Sequence, residues 1–313
     1  MAPWFDCAHH KRSTVLKDGF FMANEYIKLP SEAIYRTGSD ILHGVVEHGA
    51  DIVYFDWESS GHMREYWETE ARRKRIPGIG QIFAGSNNSS SIETMALSVR
   101  ETNPKPEGIT GYRRESLYHL TPGFLLTART LQELEVEVSI LSNGFVETIP
   151  DLGFPITANS FAYQPGNSNR ITGFCDGEMM TQRDGKLLSI IEQRRNRSGD
   201  QRIVMVGDGK NDAATQPTAL FMLFTGVIRR QNVIDELREA EHLPPVIPSD
   251  YSEILVMLAG EPRWPHLLRY RNPAVRSHFA NGVQRIIDNQ VEFINPLDQM
   301  AIAARLEYFI NRG

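Results

Sequence analysis

The 313-residue chain has little cysteine: Cys7 and Cys175 lie far apart and belong to no CxxC or Cys/His pattern. That excludes a thiolate metal site and points to a reducing compartment with no disulfide framework. Long apolar runs are also lacking. The longest, "ALFMLFTGVI", is about half of what a bilayer-crossing helix needs, so a soluble, cytoplasmic protein with no membrane partner is expected. Positive charge is not in excess. With 33 Lys and Arg against 39 Asp and Glu, the net charge of −6 argues against nucleic acid or an anionic membrane as partner. Any anion site must therefore be local. The opening "MAPWFDCAHHKRSTVL" lacks the apolar core of a secretory signal, and no internal repeat is found. What is present, 41% hydrophobic and 23% charged residues, is ordinary for a soluble globular enzyme of one large or two smaller domains.

The informative stretch is "IVMVGDGKNDAA", residues 203 to 214, where an uninterrupted apolar run meets two carboxylates flanked by glycine. Such a run fits a parallel strand covered on both faces. Gly207 and Gly209 let the chain turn, delivering Asp208 and Asp212 to the carboxyl end of a sheet, where open α/β folds place their ligands. A turn with solvated acids is the plain alternative. The rest of the chain argues against it. "SDILHGVVEHG" (39 to 49) predicts a capped helix leading into the strand "ADIVYF", which ends on "DWESS". "TPGFLLTARTLQELE" predicts a helix with a Thr-Pro start, and "VEVSIL" a strand ending at "SNGF". A β-like "ITANSFAYQ", a helix from about Lys186 to Arg195, an apolar run at 219 to 227 and the helix "RQNVIDELREAE" follow. Strands alternating with helices predict an α/β three-layer sandwich around a parallel sheet.

Between Gly61 and about Tyr118 the composition turns polar and irregular, with "GSNNSSS", "NPKPEG" and helical fragments at "MREYWETEARRKR" and "SSIETMALSVRE". This reads as an inserted, mostly helical module. The expected organisation is an N-terminal extension (1–38), a core (39–60 and 119–243), a cap (61–118) and a C-terminal extension (244–313). The last begins Pro-rich, ends in the helix "DQMAIAARLEYFINRG" and packs on the core or binds a partner; a homodimer is conceivable, without a motif to support it.

Three strands thus end in polar groups: Asp56 and Glu58, then Ser142, then Asp208 and Asp212. If these strands are parallel neighbours, the groups converge, and their types suit phosphoryl transfer. A carboxylate can attack a phosphate ester only if cations offset the repulsion. Lys186 and Mg²⁺ suit that task, and Asp56 with Asp208 supplies the oxygen donors Mg²⁺ favours.

The motifs "DWESS", "LSNGF", "DGK" and "GDGKND", in that order, resemble the four signatures of the haloacid dehalogenase (HAD) superfamily, whose fold is a Rossmann-like α/β core. More narrowly, "HLTPGF", "ITGFCDGE" and "FTGVIRRQNVIDE" resemble phosphoserine phosphatases, over residues 50 to 240. The separation of about 86 residues between Asp56 and Ser142 fits that family's helical, C1-type cap.

The resemblance implies a Mg²⁺-dependent phosphomonoester hydrolase acting on O-phosphoserine or a similar small phosphorylated metabolite. Asp56 would be the nucleophile that becomes an aspartyl-phosphate, and Glu58 the acid/base group, its main-chain carbonyl also ligating Mg²⁺ with Asp56 and Asp208. Ser142 and the amides of Asn143 and Gly144 would hold phosphoryl oxygens, Lys186 would pair with phosphate and nucleophile, and Asn211 and Asp212 would orient the groups around them. Glu65, nine residues after Asp56, and Arg100 in "ALSVRET" would bind the substrate's amino and carboxylate groups. One departure stands out: the family's usual residue at position 58 is Asp, and the extra methylene moves the carboxyl by about 1.5 Å. Glu here resembles a phosphoserine:homoserine phosphotransferase group, so transfer to an alcohol is the alternative reaction. A weakly catalytic binding or regulatory protein is the alternative of another class.

Overall fold

A computed structural model of the chain describes residues 38–63, 66–74, 99–175, 179–182, 184–195, 197, 200–216, 218–239 and 244–312. Residues 1 to 37 of the expected 1–38 extension, Glu65 and the "GSNNSSS" loop lie outside the described residues, and residue 38 opens the first helix.

Five parallel strands form the central sheet: β1 (Ile52–Phe55), β2 (Glu137–Phe145), β3 (Ile156–Asn159), β6 (Ile203–Gly207) and β7 (Leu220–Leu223), in the order β3-β2-β1-β6-β7. Two antiparallel pairs lie apart from it: the hairpin β4 (Phe161–Gln164) with β5 (Asn167–Phe174), and β8 (Val246–Ile247) with β9 (Glu292–Phe293). The central strands are apolar on both faces, and their residues alternate between two cores. Val53, Phe55, Val138, Ile140, Val204 and Val206 point into one cluster; Ile52, Tyr54, Leu141, Ile203 and Met205 point into the other. This is the period of two expected of a strand sandwiched between helical layers.

The first cluster is closed by α1 (Gly38–His48), α4 (Phe124–Glu133), α8 (Tyr251–Ala259) and α9 (Pro273–Ile287). The second is closed by α5 (Gly185–Arg195) and α7 (Gln231–Glu239) through Ile190, Val233, Ile234 and Leu237. Every residue of α8 is buried, as a helix apolar all round requires. Asp250 caps it by accepting from the Ser252 amide at 2.8 Å, and Glu253 accepts from the Asp250 amide in return. The segment after residue 244 therefore packs on the core.

One correction concerns local chemistry. The helix expected to start at Thr-Pro starts at Phe124, because Gly123 at φ 80° breaks the chain direction before it. Cys7 lies outside the described residues. Among the described residues no helix is long and apolar enough to cross a membrane.

Above the carboxyl ends of the strands lies a third cluster. It joins Tyr66 of α2 (Tyr66–Lys74), Val99, Ile109 and Tyr112 of α3 (Pro106–Ser116), Phe145 at the end of β2, and Phe161 and Ile171 of the hairpin.

Candidate active site

The register of the sheet brings the motif residues together. Phe55 pairs with Ile140 on one side and Val206 on the other, so Asp56 is level with Leu141 and Gly207, while Ser142 and Asp208 stand one residue beyond. The Asp56 amide donates to the Val206 carbonyl at 2.8 Å and ends the β1–β6 ladder. Side chains that follow a paired row of strand ends share one edge, and here all of them are buried.

Lys186 completes the arrangement. It enters from the first turn of α5, and its buried Nζ donates to Asp56 Oδ1 at 2.6 Å and to Asp212 Oδ1 at 2.5 Å. Asp212 sits on the short α6 (Lys210–Ala213), and its Oδ2 accepts from the Gly209 amide at 3.0 Å. Position 207 must be glycine for this packing. A Cβ there would lie 2.2 Å from the Asp212 Cγ and displace the carboxyl that holds Lys186. Arg230, just before α7, brings its Nε to 2.9 Å from Asp208 Oδ2 and its Nη2 to 3.3 Å from the Ser59 hydroxyl.

Carboxylate oxygens of Asp56, Asp208 and Asp212 all lie within 4.8 Å of one another. Burial pushes the Asp56 carboxyl up to about 7, with Lys186 pulling it back and Asp212 adding to the rise. Burial likewise raises Asp208 well above the carboxylate range, and the Arg230 charge opposes it. Burial alone would depress the Lys186 ammonium, but Asp212 and Asp56 hold it above its ordinary value. Three buried acids against two cations leave an oxygen-rich, electron-rich pocket, and Asp208 Oδ2 has no properly angled hydrogen bond. That donor set fits a hard divalent cation such as Mg²⁺.

Opposite the acids, the Ser142 hydroxyl accepts from the Gly144 amide at 3.0 Å. Asn143 is turned away, its side chain donating to the Met180 carbonyl at 3.0 Å and its own carbonyl accepting from Asn159 at 2.7 Å. A Cβ on Gly144 would stand 3.2 Å from Ser142 Oγ and 3.5 Å from the Glu58 carboxyl, so glycine there leaves open the space where these two groups meet. Glu58 Oε1 accepts from the Tyr66 amide at 3.3 Å, the first residue of α2. The group on the extra methylene therefore touches the module above the sheet.

No family profile matches the chain. Individual proteins do. It is 33% identical to the phosphoserine phosphatase of Bos taurus over 203 residues, 59% of this chain and 86% of that protein. It is 31% identical to the phosphoserine phosphatase of Homo sapiens over 206 residues, 61% of this chain and 88% of that protein. The chain belongs to the phosphoserine phosphatase-like branch of the HAD superfamily. Its fold matches a phosphoserine phosphohydrolase-like protein from Francisella tularensis at a TM-score of 0.52, with 19% identity, over 60% of this chain and 92% of that one. As a member of this branch it is a phosphoric monoester hydrolase.

Within the HAD frame the remaining residues fall in different places. Asn211 is exposed on α6, and Arg100 is 73% exposed with its Nε donating to Glu101 at 3.0 Å. Arg100 is thus not among the groups gathered around Asp56. Arg230, which adjoins Asp208, escaped the sequence reading, although "VIRRQ" carried a visible cue for it.

Proposed function

We propose that the protein is a Mg²⁺-dependent phosphatase that works through an aspartyl-phosphate on Asp56, with O-phosphoserine as the leading substrate. The observation that carries this reading is the buried Lys186 ammonium held between Asp56 at 2.6 Å and Asp212 at 2.5 Å, beside Asp208. Asp56, Asp208 and the main-chain carbonyl of Glu58 would hold the metal, whose charge offsets that of the carboxylates and the phosphoryl group.

An Asp56 oxygen attacks phosphorus as the bond from phosphorus to the substrate oxygen breaks. Glu58 gives its proton to that oxygen, and the alcohol leaves. Lys186, the Ser142 hydroxyl and the amides of Asn143 and Gly144 hold the equatorial oxygens, placing donors where charge gathers. Glu58, now a carboxylate, takes a proton from water as the water attacks phosphorus, which frees phosphate and restores Asp56. The same group serves in both directions because the first step leaves it deprotonated. Asp212 keeps Lys186 in place. On the cap, Glu65 is the proposed reader of the substrate's amino group, and Arg100 would have to leave its surface pairing with Glu101 to bind the carboxylate.

The similarity to phosphoserine phosphatases supports the choice of substrate. The test is phosphate release from a panel of small phosphomonoesters that includes L-phosphoserine, with Mg²⁺ or EDTA. Metal-dependent release that is best with phosphoserine and absent in Asp56→Asn is expected; equal release from native and variant overturns the reading. Adding alcohols such as homoserine shows whether water is the acceptor.

A further inference from the structure

Between the sheet and the module above it, the chain that leaves and the chain that returns are hydrogen-bonded to each other. The Met63 amide donates to the His119 carbonyl at 2.9 Å, and the Thr121 amide to the Gly61 carbonyl at 3.0 Å. His62 sits within this pairing, bridged through its backbone to Glu58 on one side and to Leu120 on the other. Its side chain is fully buried and stacks on Trp57, the residue between Asp56 and Glu58, with centroids 5.1 Å apart and planes at 11°. The Tyr112 hydroxyl of α3 meets His62 Nδ1 at 3.4 Å. Tyr112 packs edge to face on Tyr66 at 4.9 Å, and the Tyr66 amide donates to Glu58 Oε1 at 3.3 Å. The contacts thus run from His62 through Tyr112 and Tyr66 to Glu58 and back along the chain to His62. A buried imidazole among aromatic rings costs stability unless it is hydrogen-bonded, and a phenylalanine would fill the same stack. Packing alone gives no reason for a histidine here; the bond to Tyr112 does.

We propose that His62 is a positioning residue for the proton transfer: bonded to Tyr112, it fixes the strip from 58 to 62 against α3 and so sets where the Glu58 carboxyl stands. That carboxyl is one methylene longer than the family's usual Asp, and its reach to the leaving oxygen depends on where the strip is held. Proton transfer needs donor and acceptor within hydrogen-bond distance, so a small displacement of the strip lowers the rate. Through this frame the upper module bears on kcat, by way of Glu58. The inference rests on the reading of Glu58 as the proton donor.

The test compares native protein, His62→Phe, Tyr112→Phe and the double variant, with thermal unfolding alongside. Two substrates are used: L-phosphoserine, whose oxygen must be protonated as it leaves, and p-nitrophenyl phosphate, whose phenolate leaves without a proton. Each single variant should lose about tenfold in kcat for L-phosphoserine with KM unchanged. The loss in kcat/KM for p-nitrophenyl phosphate should be about twofold at most, because kcat/KM covers only the steps up to departure of the leaving group. The double variant should lose no more than either single one, since all three lack the same bond. Tyr112→Phe removes a single oxygen atom and carries the test if His62→Phe does not fold. Native kcat for L-phosphoserine in the folded variants, or an equal loss on both substrates, overturns the proposal. Native kcat in Glu58→Gln overturns instead the reading of Glu58 on which the proposal rests.

Discussion

The carboxyl edge of the sheet and the module above it are built by opposite rules. At the edge, Asp56, Asp208, Asp212 and Lys186 are buried and tied to backbone that the sheet register holds. Above it, contacts are aromatic: Phe145 stacks on Phe161 with centroids 3.9 Å apart and planes at 2°, and Tyr66 meets Tyr112 edge to face at 4.9 Å. Glu58 spans both, lying two residues after Asp56 and accepting from the Tyr66 amide. The lesson is a division of labour. A charge cluster needs fixed partners because misplacement in a low dielectric is costly, whereas a module that reads different substrates can be held by surfaces that slide. The edge should thus govern kcat and the upper module KM.

Removing Lys186 tests the edge hardest. Lys186→Met leaves Asp56 and Asp212 buried without their shared cation, and is expected to cost on the order of 3 kcal/mol in denaturant unfolding and at least about a hundredfold in kcat. A variant of native stability would show that the acids are neutral in the resting protein and the cluster loosely coupled.

Gly207→Ala should come next. A Cβ 2.2 Å from the Asp212 Cγ forces that carboxyl off Lys186, with an expected loss of about 1–3 kcal/mol and a fall in kcat with little change in KM. Phe161→Ala sharpens the other side: it should raise KM more than it lowers kcat, at a cost of about 3 kcal/mol from the lost aromatic burial. If kcat falls as far as in Gly207→Ala, the two regions are not separable.

The smallest effect is one of pH on the metal-free protein. Asp56 rises from its ordinary 3.8 to about 7 on folding, chiefly through burial, so the folded state binds the extra proton between those values. Its contribution to stability is fully present below about 3.8 and is lost as pH rises through about 7. Asp56→Asn, followed by thermal unfolding in EDTA, should therefore gain on the native protein across that window as pH rises. Parallel curves would contradict the assignment.

Much of the edge was legible in the sequence, because an apolar run that stops abruptly at glycine or a polar residue marks the strand and the place where its side chains turn polar. Asp56, Ser142 and Asp208 each follow such a run, and the parallel register then brings them together without further information. The cap was harder. Arg100 lies in a segment of mixed polar residues and pairs on the surface with its sequence neighbour Glu101, so no apolar run marks which way its side chain points. The core helix at 251 to 259 was hidden for another reason. "YSEILVMLA" is buried all round, so it has no amphipathic stripe, and a short apolar run reads equally as strand or helix.

The central claim is that phosphate passes through Asp56, and trapping it there is the most direct test. Native protein mixed with substrate and Mg²⁺, quenched in acid within milliseconds and digested, should give by mass spectrometry a phosphorylated peptide containing Asp56, absent in Asp56→Asn. Phosphate release with no phosphoryl group on Asp56 at any quench time, or full release by Asp56→Asn, would contradict the account.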